Sequence, residues 1–113
     1  MHELSIAQSI IDIANEYLDD PEVNQIHEIE IEIGMLSGAE KDALEFAMEA
    51  TIKGTKLGNT TIIYQQVIGK AACLSCSHHF DLENLLSICP KCGGMHHKIL
   101  DGKQLRIKSL KIT

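Results

Sequence analysis

The chain has 113 residues and a formal net charge of −6 at pH 7. An acidic chain with no basic run is a poor match for phosphate backbones or anionic membrane surfaces, and no apolar run is long enough to span a bilayer. Apolar residues make up 44% of the sequence and charges are dispersed, which describes a globular chain with a core small enough to gain from a structural metal.

The start, Met1-His2-Glu3-Leu4, lacks the basic region of a signal peptide. The expected location is therefore the cytoplasm, where thiols stay reduced. From there, Leu4, Ala7, Ile10, Ile11, Ala14, Tyr17 and Leu18 fall at helical spacing, and Pro21 closes the segment. Ile29-Glu30-Ile31-Glu32-Ile33 alternates apolar and acidic residues, as a strand with one buried face does. Gly34 and Gly38 bracket a turn. A second helix is expected from about Ala39 to Ile52, with Ala43, Phe46, Ala47 and Ala50 inward and Gly54 as its stop. Thr60 to Val67 is rich in β-branched residues and reads as a strand. The intervening helix is long enough for a parallel crossover.

The periodicity breaks between about Gly69 and Leu100, which holds all four cysteines and four of the six histidines. After the turn signal Asp101-Gly102, a strand resumes in which Leu105 and Ile107 alternate with Gln104, Arg106 and Lys108. The apolar phase then slips to Leu110 and Ile112, which predicts a bulge. Opposite charges suggest that this strand pairs with the one carrying Glu28, Glu30 and Glu32. The expected class is α+β: two helices on a small three-stranded mixed sheet, with an inserted four-cysteine zinc-ribbon module. The expected division is 1–68 plus 101–113 for the α/β part and 69–100 for the module.

Cys73-Leu-Ser-Cys76 and Cys89-Pro-Lys-Cys92 are two CxxC pairs twelve residues apart. Each tight loop presents two thiolates on one side, and two loops complete a tetrahedral sulfur shell suited to zinc. A redox dithiol explains one such pair, not two. Four sulfurs leave no open coordination position, so the site reads as structural rather than catalytic. Gly93 supplies the positive φ that such a loop needs. Phe80, Leu82, Leu85, Leu86 and Ile88 form a scanty local core, so metal binding would be the main folding energy of the module. His78, His79, His96 and His97 flank the pairs, either as local histidines or as reach for a second metal.

His2 is the other unusual residue. The terminal amine, its own amide and its Nδ1 can close adjacent chelate rings, a planar nitrogen set that nickel(II) or copper(II) prefers over zinc. The amide of Glu3 or a distant histidine could add a donor.

Met1-His-Glu-Leu-Ser-Ile-Ala-Gln-Ser-Ile10, the double CxxC, and Gly102-Lys-Gln-Leu-Arg-Ile-Lys-Ser-Leu110 resemble, in order and over essentially the whole chain, the HypA/HybF hydrogenase nickel-incorporation family. That family consists of metallochaperones, not enzymes. The resemblance implies that His2 and the Glu3 backbone bind nickel transiently, and that Cys73, Cys76, Cys89 and Cys92 hold structural zinc. It implies a nickel-binding part at 1–68 plus 101–113. It also implies a HypB-type GTPase and the large subunit of nickel-iron hydrogenase as partners, with urease accessory proteins in some organisms, and a monomer or weak homodimer. Some family members carry a histidine directly after a CxxC pair; here Ser77 and Gly93 stand there. A partner surface is expected near Glu40 and Asp42.

Three other readings compete. A nucleic-acid zinc ribbon needs a basic stripe or stacking aromatics, and the chain has no Trp, two Phe and two Tyr. A small metalloenzyme using His2 and Glu3 lacks a further ligand or nucleophile set. A scaffold whose only metal is zinc differs from the nickel reading in whether nickel binds once zinc is full.

Overall fold

A computed structural model describes residues 3–84 and 86–113. Its elements are α1 (Glu3–Leu18), β1 (Ile26–Gly34), α2 (Lys41–Ile52), β2 (Thr61–Val67), β3 (Gly69–Cys73), β4 (His79–Leu82), β5 (His97–Asp101) and β6 (Leu105–Ile112). Two three-stranded sheets result, ordered β2-β1-β6 and β4-β3-β5. No helix among the described residues is long and apolar enough to cross a membrane.

The first sheet is mixed, as the α+β expectation required. β1 runs parallel to β2, from Glu28 opposite Thr61 to Gly34 opposite Val67. β1 runs antiparallel to β6, pairing Glu32 with Arg106 and Ile29 with Leu110. The register slips where Glu30 faces Ser109 and Ile31 faces Ile107. Lys108 is therefore the extra residue, and the bulge lies where the apolar phase of the sequence slipped. On the outer face Arg106 meets Glu32 at 3.1 Å, Lys108 meets Glu30 at 3.8 Å and Lys111 meets Glu28 at 3.5 Å. On the inner face Ile29, Ile31 and Ile33 pack against Ala7, Ile10, Ile11 and Ala14 of α1 and Leu44, Ala47 and Met48 of α2. The buried Thr60 hydroxyl donates to the Ile26 carbonyl at 2.8 Å, satisfying a polar pair beneath that core.

Three sequence expectations are corrected here. Phe46 and Ala50 of α2 face solvent, Phe46 being 75% exposed, while Leu44, Met48 and Ile52 point inward. The helix carries two overlapping apolar stripes about 100° apart, and packing on β1 selects the one with the larger aliphatic side chains. Leu4 and Tyr17 lie at the margins of the α1 stripe and are exposed. The second helix starts at Lys41 rather than near Ala39, because Glu40 is its N-cap. The Glu40 carboxylate accepts from the Asp42 and Ala43 N–H groups at 3.2 and 2.9 Å.

The second sheet was not legible as strands, since each is only four or five residues long. It joins the first through two short connections, Ile68 between β2 and β3 and residues 102–104 between β5 and β6. Gly34, Gly69 and Gly102 meet at this crossing. A Cβ on Gly69 would strike the Leu82 carbonyl and lie 2.8 Å from the Leu36 side chain, and one on Gly34 would strike the Gly102 carbonyl. Backbone hydrogen bonds lace the crossing: Leu36 N–H to the Gly102 carbonyl at 2.8 Å, Gly34 N–H to the Gln104 carbonyl at 2.6 Å.

Candidate metal centre

Each CxxC pair closes the same backbone loop. After the first pair, the Ser77 N–H donates to the Cys73 carbonyl at 2.9 Å and the Cys73 N–H to the His78 carbonyl at 2.9 Å. After the second, the Gly93 N–H donates to the Cys89 carbonyl at 2.8 Å and the Cys89 N–H to the Gly94 carbonyl at 3.0 Å. The closing residue is left-handed in both, at φ 63° for Ser77 and 73° for Gly93. Gly93 was legible as a turn residue. Ser77 was not, although superposing the two CxxC pairs in the sequence assigns it the same role. Gly94 is a further residue that sequence reasoning missed. Its N–H donates to Cys92 Sγ at 3.4 Å, and a Cβ there would sit 3.2 Å from that sulfur.

The two loops face each other. All four Sγ atoms lie within 4.8 Å of one another, with Cys73–Cys92 at 3.5 Å and Cys76–Cys89 at 3.6 Å, and all four cysteines are free thiols. A tetrahedral zinc with sulfur at about 2.3 Å needs sulfur–sulfur edges of about 3.8 Å, so the cluster is compatible with zinc. The electrostatics agree. The backbone N–H groups of Cys76 and Ser75 hold the Cys73 thiol down at about 6. Burial pushes Cys89 up, but the N–H groups of Cys92 and Lys91 and the neighbouring thiols more than offset this and leave it lowered. The Gly94 N–H pulls Cys92 down, yet the adjacent sulfurs of Cys73 and Cys76 and its burial push it up to about 12. Backbone dipoles thus favour thiolates that repel one another in one small volume. A divalent cation would supply the missing positive charge.

Among the described residues, these four cysteines are the only group of three or more metal-ligating side chains. The flanking histidines do not join them. His78 stacks on Phe80 at 6.4 Å and His97 meets the same ring edge-on at 6.1 Å. His79 and His96 are exposed. His97 pairs with Cys73 across β3 and β5, and its Nδ1 is buried without a hydrogen-bond partner among the described residues.

His2, the expected nickel ligand, lies outside the described residues. Glu3 opens α1, and its carboxylate accepts from the Glu40 N–H at 3.3 Å, placing the start of α1 beside the start of α2.

The profile of the family described as "Hydrogenase/urease nickel incorporation, metallochaperone, hypA" matches residues 1–112. The chain belongs to the HypA family. A hydrogenase maturation factor HypA of Parabacteroides distasonis is 46% identical over 112 residues, 99% of this chain and 97% of that protein. One from Geotalea daltonii is 34% identical over 113 residues, the full length of both. Among solved structures, "Solution structure of HypA protein" matches with a TM-score of 0.62 at 26% identity, over 100% of this chain and 97% of that one. The "Solution structure of the Ni metallochaperone HypA from Helicobacter pylori" matches with a TM-score of 0.67, over 99% of this chain and 97% of that one. At 24% identity this second likeness speaks to the fold alone. The family is one of maturation factors and nickel metallochaperones, and this chain shares its fold with the solved HypA structures it matches.

Proposed function

We propose that this protein binds nickel(II) at its N-terminus, through the His2 imidazole and the backbone nitrogens of His2 and Glu3, and delivers it for maturation of nickel-iron hydrogenase. The observation that carries this reading is the family match over residues 1–112, together with relatives named hydrogenase maturation factors, one of them 46% identical. Adjacent donors lose little chain entropy on closing chelate rings, and a site at a chain end releases its metal more readily than a buried cage. The Glu3 carboxylate is engaged with the Glu40 N–H, which suits a role for Glu3 through its backbone rather than its side chain. Urease maturation, a HypB-type GTPase partner and a cytoplasmic location belong to the same reading, as does the absence of catalysis. Cys73, Cys76, Cys89 and Cys92 hold a structural zinc in a 69–100 module inserted in an α/β unit of 1–68 plus 101–113.

The test is a nickel titration of the zinc-loaded protein at pH 7.5, native against His2→Ala. The native chain is expected to take up one releasable nickel, and His2→Ala to lose it while keeping zinc and fold. Acidification should also release the nickel, because imidazole protonates near about 6.5 and amide nitrogen is harder to ionise at low pH. Equal stoichiometry and affinity in the variant would move the site to the flanking histidines. No nickel uptake by either form would leave a zinc-ribbon scaffold as the function.

A further inference from the structure

β6 is an edge strand of the first sheet among the described residues, so one row of its backbone N–H and C=O groups has no partner strand. The helix α1 overhangs that edge. Between them runs a groove of about 550 Å³, lined by Ile13 and Tyr17 of α1 and by successive residues of β6 from Leu105 to Leu110. Its apolar walls are open to solvent: Ile13 is 44% exposed, Tyr17 49% and Ile112 47%. An unpaired strand beside an apolar slot is the geometry that receives an extended peptide, the backbone adding to the sheet and alternate side chains entering the slot.

The chemistry of the occupant can be read from the strand β6 already has on its other edge. β1 meets β6 with an alternation of isoleucine toward the core and glutamate outward, so that Glu32 faces Arg106 and Glu28 faces Lys111. Arg106 and Lys111 stand on the strand that carries the free edge, while Lys108 Nζ leans across β1 to Gln65 of β2 at 3.3 Å. The side chains of Arg106 and Lys111 remain largely in water despite their pairs with β1, at 64% and 70% exposure, so they can meet a second row of carboxylates. A second copy of β6 is the wrong occupant, since it would set Arg106, Lys108 and Lys111 against their own kind.

We propose that the β6 edge and the groove beneath α1 bind an extended segment of another protein in which apolar and acidic residues alternate. Its apolar side chains enter the groove against Ile13 and Tyr17, and its carboxylates meet Arg106 and Lys111. This surface stands on β6 and α1 alone and is independent of where nickel binds.

The probe is a fluorescein-labelled peptide with the sequence of β1, Ile-His-Glu-Ile-Glu-Ile-Glu-Ile-Gly, used below its self-association limit with the full zinc-loaded chain. Anisotropy should show saturable binding, at least about tenfold tighter than for the same peptide with its three glutamates replaced by lysine. The double variant Ile13→Gln/Tyr17→Gln keeps the helix but removes the apolar wall, and should weaken binding by about tenfold or more. Amide exchange should slow along β6 on peptide addition. Equal binding of the two peptides, an unchanged β6 exchange rate, or no saturable binding would each overturn the proposal. So would self-association of the chain by sedimentation with β6 protected in the absence of peptide, because a second copy would then own the edge.

Discussion

Glu32 shows how one side chain ties the two halves of the fold. It is 7% exposed, on the outer face of β1, and its carboxylate accepts from Gln104 Nε2 at 3.3 Å and Arg106 at 3.1 Å. Gln104 Nε2 also donates to Asp101 at 2.9 Å, at the turn that leaves the second sheet. Gln104 above all, then Arg106 and Lys108, hold the Glu32 carboxyl below its usual range against the opposing effect of burial. A depressed folded-state value means that the contribution is fully present above the unfolded carboxyl value of about 4.3 and is lost as pH falls through the folded one. Glu32→Gln should therefore destabilise the protein most at neutral pH, with the difference from the native chain shrinking toward zero below about pH 4. Urea unfolding of both proteins at pH 7 and pH 3.5 measures it. A difference that does not change with pH would show that ionisation of Glu32 contributes nothing.

At the scale of elements, the two sheets are held together by different forces. The first rests on a continuous apolar core from Ala7 to Leu57, in which Ile26, Ile29, Ile31, Leu44 and Met48 are essentially inaccessible to water. The second buries little beyond Ala71, Leu82 and the sulfurs of Cys73 and Cys89, while Leu74, Leu86, Ile88 and Met95 stay exposed. Burying Leu82 and Ala71 is worth about 3 kcal/mol, against about 10–16 kcal/mol for a structural zinc site of this kind. Metal should therefore decide whether this sheet forms. Cys73→Ala is expected to abolish zinc binding and unfold residues 69–100 while the α1–α2 core stays folded. Metal analysis with residue-resolved NMR reads both parts at once. Loss of all cooperative unfolding would mean that the chain is a single unit.

The molecule as a whole is long for its size. Its radius of gyration is 17.5 Å and its extents are 55 × 25 × 16 Å, where a compact chain of this length would have a radius of about 13 Å. Two lobes end to end explain the excess, and both chain connections between them run past the Gly34, Gly69 and Gly102 crossing. Because a Cβ on Gly69 would strike the Leu82 backbone carbonyl, which cannot swing aside as a side chain can, as well as the Leu36 side chain, Gly69→Ala should cost about 3 kcal/mol, the upper end of overpacking costs. Zinc content should not change. Equilibrium denaturation checks the cost, and a loss below about 0.5 kcal/mol would show that the crossing yields rather than braces.

What the sequence determined by itself is whatever depends on local spacing. The isoleucine–glutamate alternation made β1 a one-sided strand, and the phase slip between Ile107 and Leu110 located the bulge. The glutamates of β1 found their expected partners in Arg106 and Lys108, because opposite charges on facing strands leave a readable trace, and the structure adds Lys111 opposite Glu28. The two CxxC pairs predicted a four-sulfur cluster, since a tight loop fixes where both sulfurs of a pair must point. Tertiary structure alone decided which apolar stripe of α2 turned inward, because Ala43, Phe46 and Ala50 satisfy the same period as Leu44, Met48 and Ile52. It alone decided the short strands of the second sheet, whose four or five residues are too few to show a period. The glycine crossing was also hidden, because Gly34, Gly69 and Gly102 are far apart in the chain. Their lack of a side chain acquires meaning only when three backbones are forced through one point.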